Sequence, residues 1–358
     1  MTTQTEDVLR LVLKDLKKRL GTRITAGIMG DELFSSDPTE YIPSSSTLLN
    51  LAIGGGAAVG RVMEVYGDVQ TGKTLLELDF LAQNQKRGGY SYYLDAEFGT
   101  SKDFAKRLCG IRDEELGHIE VKTQEDCWIA VDSIIQKTRD RNQKNTIVIG
   151  LDSLAALPPL AEKLQSFDEE IAMGLAQRII RKALRKLVGE ISTENVAFIF
   201  TNHEIFRMQT MPFAEKTISW GGTGPKYFAS TRIKLITTKR NKEAGEIQSL
   251  TCRATIVKNR FNPPGQEVEY FINVRGPHLG IDDHASIVEF LYAKGAFGSK
   301  KGWVDFEGRQ MRKHMLIEES WSNPEVYEAL KAKTKLIFEQ NVELIPSEDE
   351  EGVVDGVG

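Results

Sequence analysis

The chain has 358 residues, 41% of them hydrophobic, and a net charge of −5, so it can bury a sizeable core, and any nucleic-acid contact must come from local basic clusters. Its three cysteines, Cys109, Cys127 and Cys252, have no paired spacing, which argues against a disulfide framework or a zinc module. No apolar run approaches the ~18 residues of a membrane span and Met1 to Asp7 is polar, so a soluble protein of the reducing cytoplasm, with no membrane partner, is expected.

In chain order, Glu6 to Leu20 carries Leu9, Leu13, Leu16 and Leu20 at 4-3-4 spacing among basic residues, which predicts an amphipathic helix. A β-like piece, Arg23 to Met29, follows. The leucine stripe suits either packing on its own domain or docking on a neighbouring subunit. A polar stretch, Ser35 to Thr47, leads into a long region where β and α patterns alternate. Strands are expected at 61–66, 90–95, 118–122, 146–151, 196–201, 231–238, 250–258 and 267–274, and helices at 73–86, 101–108, 125–140 and 174–192. Alternation of this kind predicts an α/β fold with a mostly parallel twisted sheet covered on both faces, extended by antiparallel strands near 231–274. Past Gly276 the pattern changes to a small α+β unit, with Ile287–Lys294 helical, Trp303–Phe306 strand-like and a charged helix from Pro324 to Gln340. Glu339 to Gly358 holds seven acids and no Lys or Arg, the pattern of a disordered acidic tail. Four parts result: 1–34, 35–276, 277–340 and 341–358.

The sharpest motif is Gly67-Asp68-Val69-Gln70-Thr71-Gly72-Lys73-Thr74, which fits GxxxxGK[ST] between an apolar strand and a helix. Backbone N–H groups of such a loop and the following helix N-terminus converge on phosphate oxygens. Lys73 can reach the β/γ-phosphates, and the Thr74 hydroxyl can ligate Mg²⁺, so ATP with Mg²⁺ is the expected cofactor pair. The run Thr146 to Ser153 ends in Asp152-Ser153 beside the loop, where the Asp152 carboxylate can hold the Mg²⁺ shell. In Asp95-Ala96-Glu97, Glu97 can activate the attacking water, with Asp95 competing for that role. Asn202 and His203 close a third strand at the same edge and suit a γ-phosphate sensor.

The segment from Glu204 to Ile218 mixes Phe206, Arg207, Met208, Met211 and Phe213 and ends in a Gly221-Gly222 hinge, the character of a functional loop. Arg207 is a candidate basic contact with DNA and Met208 a wedge between bases. Arg178, Arg181 and Arg185 fall at i, i+3, i+7, one basic stripe suited to a nucleic-acid backbone. Lys258 and Arg260 end a later strand, either as a surface turn or as cations reaching the nucleotide of the next subunit.

Together these residues resemble the RecA-type homologous recombinases, phage relatives such as UvsX included, over nearly the whole chain. Tyr41-Ile42-Pro43-Ser44-Ser45-Ser46 is similar to the family's entry segment, and Gly60 to Gly67 leads into the phosphate loop in the same way. The resemblance implies a RecA-like P-loop ATPase core over 35–276 with two DNA-binding loops. It implies an N-terminal helix-strand polymerisation arm over 1–34 and a small C-terminal α+β domain over 277–340. It places the general base on Glu97, adenine stacking on Phe104, the end of the first DNA loop at Met173-Gly174 with Arg178 and Arg185, and the end of the second at Gly221-Gly222. Lys258 and Arg260 match its trans cation pair, while His203 stands where RecA carries glutamine. The implied protein is a DNA-dependent ATPase that forms a filament on single-stranded DNA and exchanges strands with homologous double-stranded DNA. Mediators or single-strand-binding proteins are the accessory partners it implies. The rival within the fold is a RadA-like ring-forming branch-migration ATPase or helicase, whose zinc module and protease-like domain have no counterpart in this sequence. A nucleotide-gated scaffold is the rival outside it, and such a scaffold has no use for Glu97.

Overall fold

The computed structural model describes residues 4–21, 37–38, 40–140, 145–165, 174–192, 194–206, 217–298 and 301–343. The chain forms two compact units, residues 1–40 and 41–358. The first contains α1 (Gln4–Leu20), stitched along its surface by the Glu6–Arg10 and Asp15–Arg19 ion pairs at 2.9 and 2.8 Å. Leu9 and Leu16 of the expected stripe are exposed, together with Val8, Leu11 and Val12. The strand-like piece Arg23–Met29 lies outside the described residues.

The second unit opens with β1 (Tyr41–Ile42), α2 (Thr47–Ile53) and β2 (Ala57–Ala58). Then come β3 (Val62–Gly67), α3 (Lys73–Lys86), β4 (Tyr90–Asp95), α4 (Lys102–Cys109), β5 (Leu116–Glu120), α5 (Gln124–Asp140), β6 (Ile147–Asp152) and α6 (Leu160–Leu164). Next are α7 (Leu175–Ile191), β7 (Val196–Phe206), β8 (Thr217–Ser219), α8 (Thr223–Phe228), β9 (Thr231–Glu243), β10 (Glu246–Asn259), β11 (Glu267–Asn273) and β12 (Gly280–Asp282). The chain closes with α9 (Asp283–Ala293), the hairpin β13 (Trp303–Phe306) and β14 (Arg309–Arg312), α10 (Lys313–Ser322) and α11 (Pro324–Glu343).

The main sheet runs β12-β11-β10-β9-β3-β7-β6-β4-β5. It is parallel from β9 to β5 and antiparallel from β9 to β12. Strand residues alternate between two cores, as a sheet covered on both faces requires. Met63, Val65, Val148, Ala197 and Ile199 pack with α3, whereas Val62, Ile149, Leu151, Phe198 and Phe200 pack with α5 and α7. β7 runs on to Phe206, past the expected end, because β8 returns antiparallel against Glu204–Phe206. β9 and β10 are also longer than expected, joined by a tight turn at Ala244 and Gly245 with φ of 49° and 85°.

The packing does not separate at 276/277. β12 adds directly to the main sheet, and Ile287, Leu291, Val304, Phe306, Leu316 and Leu330 join the core on the α3 side. Asp283 fixes this junction, accepting from Thr47 N and Oγ1 at 2.6 Å and from the Tyr327 hydroxyl at 2.7 Å. The expected acidic tail lies almost wholly beyond Glu343, outside the described residues.

Candidate nucleotide and nucleic-acid site

The phosphate loop joins β3 to α3 at the C-terminal edge of the parallel strands, where open α/β sheets bind ligands. Gly67 has no substitute here, since a Cβ would lie 2.2 Å from the Leu235 carbonyl oxygen of β9. Gly72 turns the chain into α3 with φ of 89°, a left-handed conformation that glycine adopts without cost. Inside the loop the Thr71 hydroxyl and the Lys73 ammonium both donate to the Asp68 carbonyl, at 2.9 and 2.7 Å. Burial lowers the Lys73 pKa, and the charges of Asp152 and Glu97 oppose that shift. Lys73 is therefore a cation partly stripped of water and set among carboxylates, a state that phosphate oxygens would relieve.

Asp152, at the end of β6, gathers three hydroxyls: Thr74 Oγ1 at 2.5 Å, Tyr93 OH at 3.2 Å and Thr201 Oγ1. Burial raises its pKa, and these donors hold it down. Among the described residues no cluster of three or more His, Cys, Asp or Glu side chains could cage a metal. The donors instead suit Mg²⁺, which keeps several waters and takes one or two protein oxygens plus substrate phosphates. Thr74 and the buried Asp152 carboxylate fit that role.

The structure separates the two carboxylates that follow β4. Asp95 is buried, and its Oδ1 accepts from the backbone N–H of Glu97 and of Phe98 at 3.1 and 2.7 Å. It is consumed in shaping the turn. Glu97 is half-exposed and accepts from Ser153 Oγ at 2.5 Å while lying 3.0 Å from His203 Nε2. The hydrogen bond from His203, helped by that from Ser153, pulls the Glu97 carboxyl down to about 2, against the opposing effect of burial.

The expected sensor pair divides. His203 reaches Glu97, and Thr201, on the same face of β7, donates to Asp152. Asn202, one residue between them, leaves β7 on the other face, where it is buried and donates to Glu64 Oε1 and the Trp220 carbonyl at 2.9 and 2.8 Å. Strand alternation is the cause. Phe104 lies on α4, partly buried against the core on the α3 side.

The ends of the two expected loops meet. α7 begins after Gly174 and buries Ile180, Leu184, Leu187 and Ile191, leaving Arg178, Arg181 and Arg185 exposed without an ion pair among the described residues. A Cβ on Gly222 would lie 3.3 Å from Gln177, and one on Gly224 would lie 3.4 Å from Arg181. Gly221-Gly222 thus rests on the first turns of the basic helix. Met173, Arg207 and Met208 lie outside the described residues.

Lys258 and Arg260 are not brought to their own phosphate loop. Because β10 runs antiparallel to β9, its end pairs with the start of β9, Lys258 opposite Arg232. There Lys258 donates to the Lys226 and Tyr227 carbonyls at 2.9 and 3.1 Å, and Arg260 to Tyr227 at 3.5 Å, both near the C-terminus of α8. Burial, then the charges of Arg260 and Arg232, lowers the Lys258 ammonium to about 8. Sequence reasoning passed over Tyr93, Ser153 and Thr201 as partners in the site, although each stands within a segment whose motif it read. It also passed over Glu64 and Arg232, which carry no local signal.

With this geometry in view, residues 7–275 match the RecA N-terminal domain. The chain is 32% identical over 333 residues to the mitochondrial DNA repair protein recA homolog of Dictyostelium discoideum, covering 91% of this chain and 70% of that protein. It is 30% identical over 309 residues to Protein RecA of Geobacter sulfurreducens, covering 86% and 87%, and 29% identical over 340 residues to Protein RecA of Aquifex aeolicus, covering 93% of each. The chain belongs to the RecA family and is a RecA-type recombinase, in preference to a RadA-like ring motor. Proteins of this family are DNA-dependent ATPases that use a nucleotide and magnesium. No helix among the described residues is long and apolar enough to cross a membrane.

Proposed function

We propose that this chain hydrolyses ATP as a DNA-dependent ATPase, assembles into a filament on single-stranded DNA, and pairs that strand with homologous duplex in recombination and repair. The observation that carries the reading is the meeting of Glu97, Asp152, Thr74 and Lys73 at one sheet edge with His203, which stands on β7, the strand that leads into the second loop.

The N–H groups of residues 68–74 and Lys73 hold the β/γ-phosphates once Lys73 leaves the Asp68 carbonyl. Mg²⁺, held by Thr74 and Asp152, would neutralise phosphate charge. Glu97, kept ionised by His203 and Ser153, accepts the proton of the attacking water when His203 turns toward the γ-phosphate. Phe104 stacks on the adenine. Lys258 and Arg260, remote from their own loop, stabilise charge on the nucleotide of the next protomer. Residues 1–34 are the arm that docks protomers. Gly174, Arg178, Arg185, Gly221 and Gly222 form the face toward DNA, and Met173, Arg207 and Met208 are further DNA contacts in this reading. Glu97→Gln tests the reading: nucleotide binding persists while single-strand-stimulated turnover falls by about 10²–10⁴-fold. Electron microscopy with single-stranded DNA and a slowly hydrolysed ATP analogue distinguishes filament from ring. Normal turnover in the variant removes Glu97 from the mechanism.

A further inference from the structure

His203 and Asn202 are neighbours on β7 whose side chains leave by opposite faces, and each face is tied to a different part of the molecule. His203 contacts Glu97 on the nucleotide side. Asn202 joins a buried polar cluster under α7 and α8 that spans three adjacent strands, β7, β3 and β9. Its centre is Glu64, fully buried only three residues before Gly67 of the phosphate loop. Glu64 accepts from Asn202 through one oxygen and from Arg232 Nε through the other. The second nitrogen arm of Arg232 donates to Ser219 Oγ at 2.9 Å, and its guanidinium lies 4.9 Å over the Tyr66 ring. Asn202 also donates to the Trp220 carbonyl, and Trp220 N returns a bond to the His203 carbonyl at 3.0 Å.

We propose that the Glu64–Arg232 pair is a positioning hub that couples the state of the phosphate loop to Ser219–Trp220, the segment closing the second DNA loop. The inference rests on the proposed reading that this loop binds DNA. The geometry leaves little slack. A shift of β3 as the loop takes a phosphate moves the Glu64 carboxylate, and the fork of Arg232 then moves Ser219 or breaks a buried hydrogen bond. A buried ion pair is a poor device for stability alone, since apolar residues of similar volume often serve as well. Here its hydrogen-bond geometry links four chain segments. Lys258 shares the same field through Arg232 and Glu64.

The test uses the full chain and measures anisotropy of a labelled oligothymidine with ADP and with a slowly hydrolysed ATP analogue. The ratio of the two affinities is the coupling, typically about 5–150-fold in allosteric proteins. Arg232→Lys keeps the buried charge but cannot hold Glu64 and Ser219 at once. Ser219→Ala removes only the last link and leaves the ion pair whole. Both variants are expected to bind a fluorescent ATP analogue as the wild type does while the ratio falls toward one. A lowered unfolding midpoint with the wild-type ratio retained in both variants means a merely structural role and overturns the proposal. A wild-type protein whose own ratio is one overturns the DNA-binding reading, and the hub with it.

Discussion

Replacing Glu77 by glutamine should stabilise this protein, and the gain should grow with pH. Glu77 lies on α3 under the phosphate loop, fully buried, with no hydrogen-bond partner for either carboxyl oxygen. Burial first, then repulsion from Asp152, raises its pKa well above 4.5, opposed by a weak backbone interaction with Leu151. The folded protein therefore keeps a proton that the unfolded chain releases above pH 4.5, and stability falls as pH rises beyond that value. While the proton is retained it is worth about 1.4 kcal/mol per pH unit, so the wild type should lose stability relative to Glu77→Gln as pH rises above 4.5. An amide has nearly the same shape, which matters because Gly150 already leaves only enough room for the carboxyl. Urea unfolding of both proteins at several pH values reads the result directly. A difference that is flat or shrinks with rising pH would mean that Glu77 is ionised in the fold, and the reasoning would be wrong.

Three further expectations concern activity. His203→Ala removes the main contact that holds Glu97 at about 2, so the acid limb of the ATPase pH profile should move upward toward the ordinary carboxylate range; an unmoved limb separates His203 from the base. Arg178→Ala and Arg185→Ala should each weaken single-strand binding evenly across sequences and reduce its salt slope by about one unit, and a sequence-selective loss would contradict a backbone contact. Mixing Lys258→Ala with Glu97→Gln protein should restore some turnover, because mixed interfaces pair an intact Glu97 site with an intact Lys258 donor. Failure to recover in confirmed co-assemblies would refute the shared site.

The sequence by itself determined what is local in the chain. The phosphate loop, Glu97 and Asp152 were legible because each is a short strand-to-turn signal at fixed spacing. The basic face of α7 was legible because 3.6 residues per turn place Arg178, Arg181 and Arg185 on one side. The resemblance already set Glu97 above Asp95, and the tertiary structure adds that Asp95 Oδ1 accepts from two backbone N–H groups of the turn. Only the tertiary structure split Asn202 from His203, because alternation gives two faces without saying which one meets the nucleotide. Sheet order is set by long-range pairing, and it brings Glu64 to Arg232 across 168 residues. The antiparallel course of β10 carries Lys258 and Arg260 away from their own phosphate loop. The change of pattern at 276 likewise marked no break in packing, because apolar residues beyond it complete a core that the earlier strands leave open.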